Sequence, residues 1–371
     1  EHHAVDRLPG VRLFRFALLM LLLPALFSLA TTAGRADSIK VIIVLVLSYW
    51  SGLAMLYGLQ ARPLHHLGVL LGLAFALWIA DALLQWHLGT DLFGIQYQEA
   101  RVTGPFNNLR MGVLLGVCMP LVLLPASHRW PLASLAAWGL MTFVIGLSGA
   151  RASLVFALLA GIALFAALPA RRYRVLMLLA ALLALGVAWR ASPELMERTE
   201  VDARIPVNPG LERLHGDGWL TRADNVLSGR VTIWITGLAM FRAEPLTGIG
   251  AGAFDSAYDR HSPQADDPFR SDGPQPISHA HQLYVSAAAE TGLLGLAALA
   301  ALIVASVRWY RSLPAGQRQR AWPYACSLAI ALFPLNSQPG LFIGWWYLTL
   351  LLLFCAMLVA GEGEVADQAT D

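Results

Sequence analysis

Three cationic side chains in this sequence each stand where a helix is expected to begin. Arg151 follows the turn Ser148–Ala150 at the head of the apolar run 152–169. Arg230 follows Ser228-Gly229 at the head of a shorter apolar-periodic stretch, and His281 opens the helix leading into the run 283–307. The N-terminal end of a helix carries partial positive charge and favours anions, so an arginine there works against the local field. An anion held between arginine forks and helix N-termini removes the conflict, and phosphate suits both. At such an end the imidazole of His281 is kept neutral. A neutral ring either accepts a proton from a sugar hydroxyl or hydrogen-bonds and orients it. The competing readings are an interfacial arginine snorkelling to water, a solvated surface charge and a histidine making an ordinary cap.

Further residues bear on this set. His279, two positions earlier, competes with His281 for the same role, and Gln282 follows directly. Glu290 lies nine residues after His281, half a turn out of phase on an unbroken helix, so pairing requires a bend at Thr291-Gly292; anchoring the helix is its expected role. Asp81, in LWIADALLQW, is an acid in or near a span, where such residues are functional or paired. The sequence has no HExxH, Walker loop or cysteine-histidine cluster, and no DxD pair near the three cations. The expectation is therefore no metal site and no cofactor.

The elements that must position these groups are apolar. With 57% hydrophobic and 13% charged residues over 371 positions, the chain exceeds what a soluble domain can bury and reads as a polytopic membrane protein. Ten segments approach the length needed to cross hydrocarbon: 13–32, 41–59, 67–86, 109–125, 131–149, 152–169, 175–189, 283–307, 322–336 and 341–360. Alternate loops on one side hold Arg7, Arg12, Arg15, Arg62, Arg129, Arg171, Arg172, Arg174, Arg308, Arg311, Arg318 and Arg320. The short loops opposite hold Arg35, Lys40, Arg101, Arg110 and Arg151. This asymmetry puts the first set in the cytoplasm and the long interval 190–280 in the periplasm. The expected organisation is N-terminal spans over 1–189, a periplasmic loop domain over 190–280, C-terminal spans over 281–361 and a cytoplasmic acidic tail over 362–371. The chain opens on Glu1 rather than methionine, as a shortened or tagged chain would.

Within the long interval, Ser228-Gly229 is positioned to cap an amphipathic helix with Val231, Trp234, Ile235, Leu238 and Phe241 as its apolar stripe, ended by Pro245 and lying along the membrane surface. The following TGIGAGAF predicts a tight turn that lets backbone approach something closely. Residues 259–276, rich in proline and aspartate, read as irregular loop. Cys118, Cys326 and Cys355 lie in apolar runs and predict no disulfide. Arginines spread over membrane loops, with no single basic patch, argue against a nucleic-acid partner.

GARASL around Arg151, SGRVTIW followed by EPLTGIGAGAF, and HAHQLYVSAAAETGLLGL come in the order of three blocks of the O-antigen ligase family, which the chain resembles over roughly its C-terminal two-thirds. His281-Gln282 stands where the family has histidine followed by asparagine. The resemblance implies an all-α, GT-C-like bundle of about 10–12 transmembrane helices in the bacterial inner membrane, with one large periplasmic loop domain containing amphipathic helices. It implies a metal-independent, inverting glycosyltransferase whose active site faces the periplasm. The donor would be a glycan on undecaprenyl diphosphate and the acceptor lipid A-core oligosaccharide. Arg151 and Arg230 would bind the diphosphate, His281 would activate or position the acceptor, and Glu290, His279 and Gln282 would support them. O-antigen polymerase and O-linked protein oligosaccharyltransferase are the alternatives within the superfamily. A lipid-linked glycan transporter is the non-enzymatic one, which the sparse polar residues of the spans count against.

Overall fold

A computed structural model describes residues 9–32, 34–60, 64–96, 101–106, 108, 110–191, 219, 223–224, 227, 229–263, 267–273, 276–334 and 340–362. Among these residues the chain is all-helical, with one isolated β-bridge between Thr90 and Gln96. Its helices are α1 (Pro9–Ser28), α2 (Arg35–Gln60), α3 (His65–Leu88), α4 (Arg110–Ala126), α5 (Pro131–Leu147), α6 (Arg151–Ala167), α7 (Arg171–Ala191), α8 (Arg230–Ala243), α9 (Phe254–His261), α10 (Leu283–Ser312), α11 (Ala315–Ala331) and α12 (Gly344–Glu362). Each of the ten expected spans corresponds to one of these helices, whose ends differ from the expected ones by several residues at some positions. The ninth shifts most, starting at Ala315 rather than 322.

Among the described residues, five helices are long and apolar enough to cross a membrane: Gly10–Ser28, Arg35–Gln60, His66–Leu88, Leu283–Ser312 and Gly344–Glu362. Three more, Arg110–Ala126, Pro131–Leu147 and Ala152–Ala167, are apolar but shorter. Helix α2 shows what the apolar faces do. Ser38, Val41, Leu45, Ser48, Gly52 and Leu56 form its buried stripe, while Ile43, Val46, Leu47 and Trp50 stand exposed on the other side. Large aliphatic side chains around the whole circumference suit a helix solvated by lipid, not water.

The chain divides into two compact units. One comprises Glu1–Gln60, Asp202–Ala321 and Pro334–Asp371, the other Ala61–Val201 and Trp322–Phe333. In the first, α1, α2 and α12 pack together, α10 runs against α1, and α8 and α9 lie against α10. In the second, α4 packs on α6 and α5 on α7, with α3 against α4 and α5. Small residues permit the α4–α6 approach, since a Cβ at Gly116 would come within 2.8 Å of the Phe156 Cβ. Trp138 of α5 fixes α6 from its other neighbour, donating its indole N–H to the Ala157 carbonyl at 3.0 Å.

The first unit is organised around a break in α10 at Gly292, whose backbone leaves the helical region (φ 63°, ψ −156°). A break strands carbonyls before it and amides after it, and each must find a partner when buried. The segment 245–250 supplies them. The Ile249 and Gly250 amides donate to the Ala289 and Glu290 carbonyls at 2.9 and 3.1 Å, and the Leu293 and Leu294 amides donate to the Pro245 and Leu246 carbonyls at 2.8 and 3.1 Å. Gly248 sits so tightly against this join that a Cβ there would overlap the Glu290–Thr291 peptide. The glycine-rich turn is thus a plug for a broken helix. It is also tied to the end of α1, where Ala251 donates to the Ser28 hydroxyl at 3.0 Å and Thr31 donates to the Gly248 carbonyl at 2.7 Å.

Candidate functional site

Helix α8 begins at Arg230 and is capped at Gly229, both as expected, but the side chain that caps it is not the expected one. Gly229 is the cap, in the left-handed region at φ 78°, and Ser228 lies outside the described residues. The capping side chain comes from Asp224, whose carboxylate accepts from the amides of Val231 and Thr232 at 2.7 and 3.2 Å and from the Thr232 hydroxyl at 2.9 Å. Asp224 is fully buried, and burial raises its carboxyl above the usual range against those hydrogen bonds. The anion at this helix end is therefore the chain's own carboxylate, so the open N-terminus expected for a phosphate is already filled. An aspartate upstream of the helix was visible in the sequence; its reach back through a turn closed by the Gly229 amide on the Asp224 carbonyl was not.

The face of α8 that packs against the protein is a different one from its apolar stripe. Thr232, Ile233, Thr236, Gly237 and Met240 face inward, whereas Val231, Trp234, Ile235 and Phe241 are half-buried and Leu238 is exposed. The small residues face in because α10 comes so close that a Cβ on Gly237 would press on Val285. Trp234 makes the connection that shapes the site, donating its indole N–H to the Ala280 carbonyl at 3.1 Å. One hydrogen bond thereby joins the Arg230 helix to the middle of the His279-Ala280-His281 loop.

His281 does not open α10. Gln282 is the N-cap, accepting from the Val285 amide at 2.6 Å, and the helix starts at Leu283. The Gln282 side-chain amide also donates to the Pro334 carbonyl at 3.0 Å, tying the cap to the segment before α12. His281 precedes the cap with φ 49°, the one non-glycine residue in the left-handed region among those described. A β-carbon is disfavoured there, and such strain is found at functional sites held by their surroundings. The conformation packs its ring against His279, with centroids 4.1 Å apart and the planes tilted by 46°.

His279 is half-buried, with Nδ1 2.7 Å from the Ser278 hydroxyl, and its Nε2 is out of water with no hydrogen-bond partner. Burial, and after it the nearby charge of Arg230, lowers its pKa to about 4. Arg230, whose Nη1 donates to the Leu227 carbonyl at 3.1 Å, therefore lies close enough to His279 for its charge to act there. Glu290 is buried beside the break, its carboxyl against the backbone N–H groups of Gly252 and Phe254. Arg151 opens α6 and belongs to the other unit. Asp81 is buried in α3 of that unit, where one carboxylate oxygen accepts from the Leu92 amide at 2.8 Å. It helps shape the turn after its own helix. Among the described residues no three metal-ligating side chains converge on one point. The three cysteines are buried and free.

The region that carries the histidine loop, α8, the glycine plug and the first half of α10 falls inside residues 136–300, which match the family model described as O-antigen ligase. The chain carries an O-antigen ligase family domain. The match includes Arg151, Arg230, His279, His281, Gln282 and Glu290. No curated protein and no solved structure matches the chain. The family matched over these residues belongs to the O-antigen ligase and polymerase superfamily of lipopolysaccharide biosynthesis, whose members are glycosyltransferase-like enzymes.

Proposed function

We propose that this O-antigen ligase family protein is an inner-membrane glycosyltransferase that moves O-antigen glycan from undecaprenyl diphosphate to lipid A-core oligosaccharide at the periplasmic face. The observation that carries this reading is the Trp234–Ala280 hydrogen bond, which keeps Arg230 and the two histidines together inside the region matched by the family. A cation beside imidazoles suits one displacement. The acceptor hydroxyl gives its proton to His281 as its oxygen bonds to the anomeric carbon. The bond from that carbon to the diphosphate oxygen breaks on the opposite side, and the diphosphate leaves with the electron pair. A single in-line attack inverts the anomeric centre. Arg151 and Arg230 stabilise the leaving charge through charge-assisted hydrogen bonds, a task a divalent cation performs elsewhere.

The test is transfer by the purified protein in nanodiscs, with a lipid-linked glycan donor and separate lipid A-core, protein and lipid-linked glycan acceptors. Glycan on lipid A-core with inverted linkage is the expected product. Product only on a second lipid-linked glycan assigns the chain to the polymerases, and product on protein to the oligosaccharyltransferases. No product on any acceptor overturns the reading.

A further inference from the structure

The motif LWIADALLQW in the C-terminal part of α3 holds a second buried polar residue besides Asp81. Gln85 stands one turn on from Asp81 and is fully buried. Its Oε1 accepts from the Thr103 and Gly104 amides at 2.8 and 3.1 Å, and its Nε2 donates to the Ile95 carbonyl and the Thr103 hydroxyl at 3.2 and 3.3 Å. Two donors and two acceptors are all that a side-chain amide has, and every one is spent on the chain that follows α3. The segment 101–106 fits closely where Gln85 holds it. Gly104 takes φ 56°, a Cβ there would come within 2.6 Å of the Met111 sulfur, and the Phe106 ring meets Trp78 of α3 edge-on with centroids 4.9 Å apart.

This strap reaches the turn that leads to Arg151. Val102, fully buried, donates its amide to the Leu147 carbonyl at 3.2 Å. Leu147 is the last residue of α5, where carbonyls have no partner within the helix, so the strap supplies the missing donor. Only Ser148, Gly149 and Ala150 separate it from Arg151 at the head of α6. That connection leaves little freedom: Ser148 is buried, Gly149 takes φ 66°, and the Ser153 amide returns to the Ala150 carbonyl at 2.9 Å. Helix α4 also packs on the turn, where a Cβ on Gly112 would lie 3.0 Å from the Ser148 hydroxyl. The turn is thus held by α4 and by the strap, and the strap by Gln85, all within the second unit.

We infer that Gln85 is a positioning residue for Arg151: by holding the strap that caps α5, it sets the turn that places Arg151 at the head of α6. This rests on the glycosyl-transfer reading above, in which Arg151 binds the diphosphate, and extends it to a helix that carries none of the groups assigned to the chemistry. The Val102–Leu147 hydrogen bond is the link through which Gln85 acts beyond its own loop.

The experiment uses the full chain in nanodiscs, with undecaprenyl diphosphate as the probe. Gln85→Met keeps the length of the side chain and removes its four hydrogen bonds. Gly104→Ala leaves Gln85 in place, strains the strap at its positive φ and crowds Met111. Each should raise the Kd for undecaprenyl diphosphate about tenfold, with acceptor KM unchanged. A double-mutant cycle gives the sharper readout. Added to Arg151→Ala, Gln85→Met should weaken binding by no more than about twofold, because the group it positions is already gone. Hydrogen exchange of the amides over 147–154 should be faster in both single variants. A role confined to stability would leave the Kd of the folded protein unchanged or multiply the losses in the cycle, and either result overturns the inference. Should Gln85→Met not fold, Gly104→Ala decides by the same measures. If Arg151→Ala binds the diphosphate as wild type does, the donor role of Arg151 fails by itself. The exchange arm then decides: faster exchange over 147–154 supports Gln85 as the residue that sets this turn, and wild-type exchange refutes it.

Discussion

The backbone carbonyl of Glu290, released by the break in α10, is taken at 3.1 Å by the amide of Gly250. This bond fixes where Glu290 stands and ties the glycine plug to the helix that starts beside His281. Gly248, at φ 70°, has no room for a side chain at the same join. Gly248→Ala is therefore expected to destabilise by about 2 kcal/mol or more, through both backbone strain and overlap with the Glu290–Thr291 peptide. Gly139→Ala is the control. It lies inside α5 with open space around it, and alanine there should be neutral or stabilising by a few tenths of a kcal/mol up to about 1. Thermal unfolding in detergent compares the two, and equal shifts would show that the plug is not sterically required.

His279 gives stability a pH dependence of known sign. Its imidazole titrates near 6.5 in the unfolded chain and near 4 in the folded one, because burial first and Arg230 second disfavour the cation. Asp37, Lys40, Glu290 and His281 also face this region. Between those values the unfolded chain takes up a proton that the folded chain refuses. Stability is thus full above about pH 6.5 and falls by about 3 kcal/mol as pH drops to 4. His279→Gln should flatten this acid slope in unfolding curves taken from pH 7 to 4. A slope equal to wild type would assign the acid sensitivity to other groups.

Arg151, Arg230 and His281 are expected to fail in different ways. Alanine at either arginine removes charge-assisted hydrogen bonds worth about 1.5–3 kcal/mol and should weaken donor binding about 10- to 150-fold. His281→Ala should leave donor binding intact and slow single-turnover transfer about 10²-fold or more. Donor titration and rapid-quench kinetics on the three variants separate these outcomes. Transfer that survives His281→Ala while donor binding collapses would reverse the assignment.

If Arg151 and Arg230 take the place of a cation at the diphosphate, as proposed, transfer should persist in excess chelator. Activity abolished by EDTA and restored by magnesium or manganese would end the metal-independent mechanism.

Cysteine placed at Asp272, whose side chain is 79% exposed, should react with a membrane-impermeant maleimide in intact spheroplasts if the long interval is periplasmic. The native cysteines are buried and should give little background. Labelling only after lysis would put the histidine loop on the cytoplasmic side.

The sequence by itself determined that this is a helical membrane protein, where most helices run and which residue types are able to handle phosphate and a hydroxyl. Those properties are local: about 20 apolar residues suffice for a span, and a glycine-rich turn announces close backbone approach. The tertiary structure decided which groups meet. Sequence adjacency favoured Ser228-Gly229 as the cap of α8, but Asp224 reaches its amides because the chain folds back through a turn. The period of α8 marked its apolar stripe, but not the face that packs on α10, where Thr232, Thr236 and Gly237 turn inward because α10 comes close. Two histidines two residues apart are equivalent in a sequence. The left-handed backbone at His281 and the enclosed Nε2 of His279 separate them, since both depend on what packs against the loop from segments distant along the chain.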